Sequence, residues 1–173
     1  MMTVFWAADR ISRWRLQYME RWMIGDGRMR EPLKVRACED GDFGQVAAMW
    51  DRCNLSAPHN DPSAMFDRKR AYQPELFLVS EVDGKIVAGV MAGYEGRRGW
   101  INLLAVDPGY RWRGYGREMM DAAHERLAAL GCPKVNLQIR IWNAGAMAFY
   151  ERLGYSLDLC YSMGKSIEHS TRE

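Results

Sequence analysis

The sequence predicts an α/β domain with a mixed sheet flanked by helices and an extra helix ahead of it at the N-terminus. Three observations predict it. From Leu33 onward, short apolar runs of period two alternate with stretches whose apolar side chains recur every three or four residues. Asp83-Gly84 stands between two of the apolar runs and is the dipeptide that a two-residue hairpin favours. The stretch from Leu103 to Arg117 carries an apolar strand through Asp107-Pro108-Gly109 into an Arg/Gly loop that opens a helix.

Each element follows from its residues. Met1 to Arg30 combine Trp6, Trp14 and Trp22 with Arg10, Arg13, Arg15, Arg21, Arg28 and Arg30, against Asp9, Glu20 and Asp26, which reads as a basic amphipathic helix. Charges at Asp9, Arg10, Arg13 and Arg15 interrupt any apolar core of a secretory signal. Such a helix suits a partner, a membrane surface or self-association as a homodimer; the favoured readings are an upstream extension, with Met29 as the true start, or a helix that packs on the domain. Gly25-Asp26-Gly27 marks the boundary, so residues 1–32 form the extension and residues 33–173 the folded domain.

Leu33 to Cys38 is a short strand, and Asp40 to Leu55 a helix with Phe43, Val46, Ala47, Trp50 and Cys53 on one face. Asn60-Asp61-Pro62 supplies a cap and a proline for a second helix reaching about Ala71. Leu76 to Val82 and Lys85 to Tyr94 are the arms of the hairpin, and Trp100 to Val106 is the next strand after a turn at Gly96 to Gly99. Gly114 to Leu130 is a helix with Met119, Met120, Ala123, Leu127 and Leu130 toward the core, ended by Gly131 and Pro133. Val135 to Ile141 is a strand, Ala144 to Leu153 a short helix stopped by Gly154, and Tyr155 to Lys165 a final strand.

Composition bounds the function. A chain of 173 residues with 48% apolar content buries a substantial core, and a net charge of +2 gives no reason to invoke nucleic acid. Cys38, Cys53, Cys132 and Cys160 are widely spaced, with no pattern suited to a metal, which fits reduced thiols in a cytoplasmic protein. No apolar run of about 18 residues is present to span a membrane as a helix.

The loop after the fourth strand is built to hold a pyrophosphate. A helix start offers backbone N–H groups without intrahelical partners and the positive end of the macrodipole. Gly114 and Gly116 let the backbone turn sharply and approach an anion, while Arg111, Arg113 and Arg117 add positive charge.

The Arg111-x-x-Gly114-x-Gly116 loop after Leu104-Ala105-Val106-Asp107-Pro108 is followed downstream by Asn143-Ala144-Gly145-Ala146-Met147-Ala148-Phe149-Tyr150-Glu151-Arg152-Leu153-Gly154-Tyr155. The pair of motifs resembles the GNAT superfamily of acetyl-CoA-dependent N-acetyltransferases, over about Leu33 to Ser166. The resemblance implies a mostly antiparallel sheet and acetyl-CoA as cosubstrate, with no metal. It implies main-chain bonds from Leu104, Ala105 and Val106 to the pantetheine arm and a pyrophosphate held by amides from Trp112, Arg113, Gly114, Tyr115, Gly116 and Arg117. Asn143 matches the family asparagine that contacts the cofactor, and also suits a helix N-cap. Tyr150 matches the tyrosine that faces the thioester sulfur, and also suits an aromatic cluster with Phe149 and Tyr155.

Acyl transfer sets the remaining requirements. An amine with a pKa of about 10 must lose a proton before it attacks. The developing oxyanion needs a donor, for which the strand amide near Val106 is placed, and a phenol such as Tyr150 can protonate the leaving thiolate. Direct transfer in a ternary complex, without an acyl-enzyme, follows. Where relatives place a glutamate, this chain has Trp100 and Gln138, so the base falls to Glu81 or Glu95 at strand ends, to Asp61 or His59 in the loop between the first two helices, or to a water relay. The acceptor is a small amine, a peptide N-terminus or a protein lysine, walled by the stretch from Leu55 to Tyr72 with His59, Asn60, Asp61, Phe66 and Tyr72. Acidic and aromatic groups there suit a cationic amine, whereas Arg68-Lys69-Arg70 cuts the other way. The absent carboxylates leave open a catalytically weak acetyl-CoA sensor, and the N-terminal helix leaves open an interaction module on the same fold.

Overall fold

The computed structural model describes residues 33–56 and 61–165. The expected N-terminal helix, with the dimer surface it offers, and the candidate residues His59 and Asn60 lie outside them. The described chain divides after Asn136 into two compact units.

The first unit is a sheet with helices on both faces. Its strands are β1 (Val35–Ala37), β2 (Phe77–Val82), β3 (Lys85–Tyr94), β4 (Gly99–Val106) and β5 (Val135–Leu137), in that spatial order. Antiparallel pairing joins the first four, with Ser80 opposite Ala88 and Ala88 opposite Val106. The hairpin forms where the sequence places it: Asp83 (φ 51°) and Gly84 (φ 74°) are both left-handed, as a type I′ turn requires.

One face of the sheet carries α1 (Phe43–Arg52) and α2 (Pro62–Ala71). The core beneath them joins Val46, Met49, Trp50 and Phe66 to Phe77, Val79, Ile86, Met91 and Ala105. Phe77 is central, stacked on Trp50 at 6.1 Å and meeting Phe66 edge-on at 5.5 Å. The first helix begins later than its apolar period suggests, because Asp40–Asp42 form a separate 3-10 turn in which Asp42 and Glu39 cap each other. The other long helix, α3 (Tyr115–Ala129), packs on β3 and β4 and buries Tyr115, Met119, Met120, Ala123 and Leu127. Leu130, expected in that core, is 46% exposed because the helix ends on it. Left-handed Gly131 and the bonds from Gly131 N to Ala128 O and Cys132 N to Leu127 O close a Schellman motif there.

The second unit starts at Leu137, the last residue of β5, and holds α4 (Ala144–Glu151). Two strand expectations are corrected in this part of the chain. The strand expected over Val135 to Ile141 stops at Leu137, and Tyr155 to Lys165 forms neither helix nor strand, with Leu157, Leu159, Tyr161 and Met163 exposed. Alternation makes a strand only where a neighbouring strand completes its hydrogen bonds, and this unit forms no other strand among its described residues. Among the described residues, no helix is long and apolar enough to cross a membrane.

Candidate active site

The end of β4 is tied down before the loop begins. Asp107 is 4% exposed; its carboxylate caps the turn by accepting from Gly109 N at 3.0 Å and pairs with Arg52 at 2.8 Å and Lys85 at 3.2 Å. Burial alone would raise its pKa, but the Gly109 amide and the two cations outweigh it and hold the carboxyl below its ordinary range. Val106 O accepts from Cys53 Sγ at 3.3 Å and from Arg111 Nε at 3.2 Å. Helix α1, the hairpin arm at Lys85 and the loop therefore all fasten to the last residue of β4 and the turn residue after it.

Beyond this anchor the backbone takes two left-handed steps, at Trp112 (φ 65°) and Gly114 (φ 83°). Glycine suits the second; Trp112, 95% exposed, adopts a conformation that side chains disfavour by about 1–2 kcal/mol. Gly114 is the N-cap of α3, and the first intrahelical bonds run from Arg117 N and Glu118 N to Gly114 O. The amides of Tyr115 and Gly116 precede those bonds, at the positive end of a 15-residue helix. Gly116 is an ordinary helical residue, so the sharp turn belongs to Gly114 alone. Arg113 lies 5.2 Å from the Tyr110 ring centroid, as does Lys85 Nζ, and Tyr110 stacks on Tyr115 at 6.2 Å. The cradle has the open backbone and charge that a pyrophosphate needs.

One feature of β4 escaped the sequence reading. Met91 pairs with Leu103 and Ala92 with Ile101, leaving Asn102 as the extra residue of a β-bulge. The signal was present as a lone polar residue within Trp100-Ile101-Asn102-Leu103-Leu104, an apolar run. Beside the bulge opens a pocket of about 410 Å³ lined by Met65, Arg68, Lys69 and Tyr72 of the α2 segment and by Met91, Asn102 and Leu103 of the sheet.

The other predicted residues have these surroundings. Glu81 accepts from Arg36 Nε at 2.7 Å, in a network that continues to Asp42. Glu95 accepts from the amides of Arg97 and Arg98 at 2.9 and 2.8 Å and organises the β3–β4 turn, at the end of β4 opposite Val106. Asp61 caps α2 through Ser63 N at 3.0 Å. In the second unit, Asn143 caps α4 by accepting from Ala146 N at 3.0 Å. Tyr150 is half-buried between Phe149 (5.0 Å) and Tyr155 (5.6 Å), and burial pushes its hydroxyl up to about 12.

Residues 46–155 match the acetyltransferase (GNAT) family. An acetyltransferase from Yersinia pestis (strain Pestoides F) is 39% identical over 135 residues, spanning 78% of this chain and 96% of that one. The chain belongs to the GNAT acetyltransferase family. Solved structures show the same fold: Ard1 from Thermoplasma volcanium superposes with a TM-score of 0.68 at 23% identity, over 74% of this chain and 85% of that one. A ribosomal-protein alanine N-acetyltransferase from Escherichia coli gives 0.60 at 23% identity, over 70% and 76%. The protein is thus an acetyltransferase, of a family that uses acetyl-CoA, on a mostly antiparallel sheet.

Proposed function

We propose that this GNAT protein passes an acetyl group directly from acetyl-CoA to a primary amine in a ternary complex. The observation that carries this reading is the junction of β4 and α3, where left-handed Gly114 opens a long helix immediately after an anchored strand end. Acetyl-CoA supplies the activated thioester. The chain supplies the rest. Its strand β5 has three residues against eight in β4, so it can cover only part of that edge; Leu104, Ala105 and Val106 are left to bind the pantetheine arm as an added strand would. Amides from Trp112 to Arg117 take the pyrophosphate, and Asn143 keeps its family role beside its cap.

The transfer balances simply. The amine nitrogen bonds to the carbonyl carbon, the carbon–sulfur bond breaks, one amine proton goes to solvent, and Tyr150 gives its proton to the departing thiolate and regains one from water. A main-chain amide of bulged β4, in the stretch from Asn102 to Val106, holds the developing oxyanion. Because Glu81 is committed to Arg36 and Glu95 to two turn amides, we assign removal of the amine proton to a water relay. The described cysteines are free thiols, which fits a cytoplasmic setting.

Titration calorimetry with acetyl-CoA, followed by an acceptor-dependent thiol-release assay, tests the reading. Wild type is expected to bind and Gly114→Glu to lose binding, since bulk and negative charge enter the cradle. Glu81→Gln and Glu95→Gln are expected to leave the acidic limb of the rate profile in place. Acetylated protein in a burst without acceptor would replace direct transfer with an acyl-enzyme, and tight binding without any acceptor-dependent release would leave a sensor.

A further inference from the structure

Resting on that reading, we propose that the pocket between α2 and the bulge of β4 receives the acceptor, and that Arg68 and Lys69 select a primary amine that also carries a carboxylate. The pocket lies where an acceptor must lie: Asn102 and Leu103 form part of its wall, and the chain continues directly into Leu104–Val106, the segment assigned to the pantetheine arm. Its volume, about 410 Å³, falls in the lower part of the range for small-ligand sites. Met65, Met91 and Leu103 give it an apolar floor suited to a few methylenes.

The charges in the lining are of one sign. Arg68 and Lys69 are its charged side chains, and no carboxylate stands among the seven residues. Helix geometry separates the three consecutive cations, since successive side chains are about 100° apart around the axis. Arg70 turns the other way and is committed to Asp40 at 2.8 Å and to Cys38 O. Arg68 has no hydrogen-bond or ion-pair partner among the described residues. Lys69 donates to Tyr72 O at 3.2 Å, leaving ammonium protons to give. Burial holds Lys69 below its ordinary pKa although nearby Glu75 partly opposes this, and an incoming anion would offset the remaining cost.

This lining inverts the cationic preference suggested by Asp61, whose carboxylate is occupied at the helix cap. A polyamine would meet like charge in the pocket. A carboxylate reverses the sign at one end of the ligand and pairs with the two cations. Both a free amino acid and a peptide with an acidic side chain near its N-terminus carry that chemistry.

The test is a thiol-release panel on the full chain with 5-aminopentanoate, its neutral amide and 1,5-diaminopentane. Two amidated peptides that differ only by Glu or Gln at the second position complete the panel. The carboxylate member of each set is expected to have the higher kcat/KM. Arg68→Ala and Lys69→Ala should each cut that preference by about 10-fold, as loss of a charge-assisted hydrogen bond does, through KM of the acceptor and with KM for acetyl-CoA unchanged. Preference within the free set alone marks an amino-acid acceptor, and within the peptide set alone a polypeptide one; either supports the proposal. Equal rates for charged and neutral members, or the diamine as best acceptor, overturns it. If no amine releases thiol, the transfer reading fails on its own. Calorimetry of 5-aminopentanoate and the Glu peptide against protein saturated with CoA still decides the pocket: binding lost in Arg68→Ala supports it, and absence of binding overturns it.

Discussion

At the scale of single residues, burial bears directly on the role proposed for Tyr150. A phenol raised to about 12 stays protonated at neutral and moderately alkaline pH, where it can donate and does not compete as a base. The amine behaves oppositely, since its reactive form is the deprotonated one and its ordinary pKa is about 10. With acetyl-CoA saturating, kcat/KM for the acceptor is therefore expected to climb with pH and level off at the acceptor's own pKa. No descending limb from Tyr150 is expected below about pH 11. Tyr150→Phe should lower kcat by about 100-fold or more, the usual worth of a positioned acid, while leaving the calorimetric affinity for acetyl-CoA within about 2-fold. A Phe variant with undiminished kcat would return Tyr150 to the aromatic cluster alone. The packing was legible in the sequence from the flanking aromatics, which lie 5.0 and 5.6 Å away, whereas the donor role proposed for Tyr150 rests on the family motif.

At the scale of elements, two glycines beside β4 are required for different reasons, and substitution separates them. A Cβ on Gly99 would stand 2.9 Å from Cys132 Sγ, 3.1 Å from Leu127 Cδ1 and 3.2 Å from Val135 Cγ2, where the end of α3 and β5 close on the strand. Gly99→Ala is expected to cost about 1–3 kcal/mol through overpacking in urea unfolding, and Cys132→Ala should recover part of it in a double-mutant cycle. Gly114 has open space around it, its nearest neighbour being Glu118 Oε1 at 3.9 Å, and is strained by conformation instead. Gly114→Ala should cost about 1 kcal/mol, and Cys132→Ala should recover none of it. The need for Gly114 was legible because a helix start preceded by glycine is a local pattern. That for Gly99 was not, since it depends on residues more than 25 positions away.

At the scale of the whole molecule, the same distinction governs what the chain discloses in advance. The hairpin, the helix caps and the motif order are local and were readable; the sharing-out of Arg68, Lys69 and Arg70 is a product of how α2 packs beside Cys38 and the Asp40–Asp42 turn, and Asn102's bulge and the engagement of Glu81 by Arg36 are products of pairing across the sheet. That last network also predicts a global property. Asp42 is held below the ordinary carboxylate range chiefly by Arg36, with which it makes bonds of 2.6 and 2.8 Å, and burial only partly opposes this. Asp107 is likewise depressed, its burial outweighed by the Gly109 amide, Arg52 and Lys85. A carboxyl whose folded pKa lies below its unfolded value contributes stability that is complete above the unfolded pKa, about 4, and is lost as pH falls through the folded one. Unfolding free energy is therefore expected to be level with respect to these two groups from about pH 5 upward and to fall steeply below about pH 4. Asp42→Asn and Asp107→Asn should each lower stability at pH 7 by about 1–3 kcal/mol and flatten the acid limb, because the group that would have been protonated is gone. Urea titrations at pH 3.5 and pH 7 measure both quantities; variants that destabilise equally at the two pH values would show that packing, and not the charge of these carboxylates, fixes the anchor of β4 and the turn beneath α1.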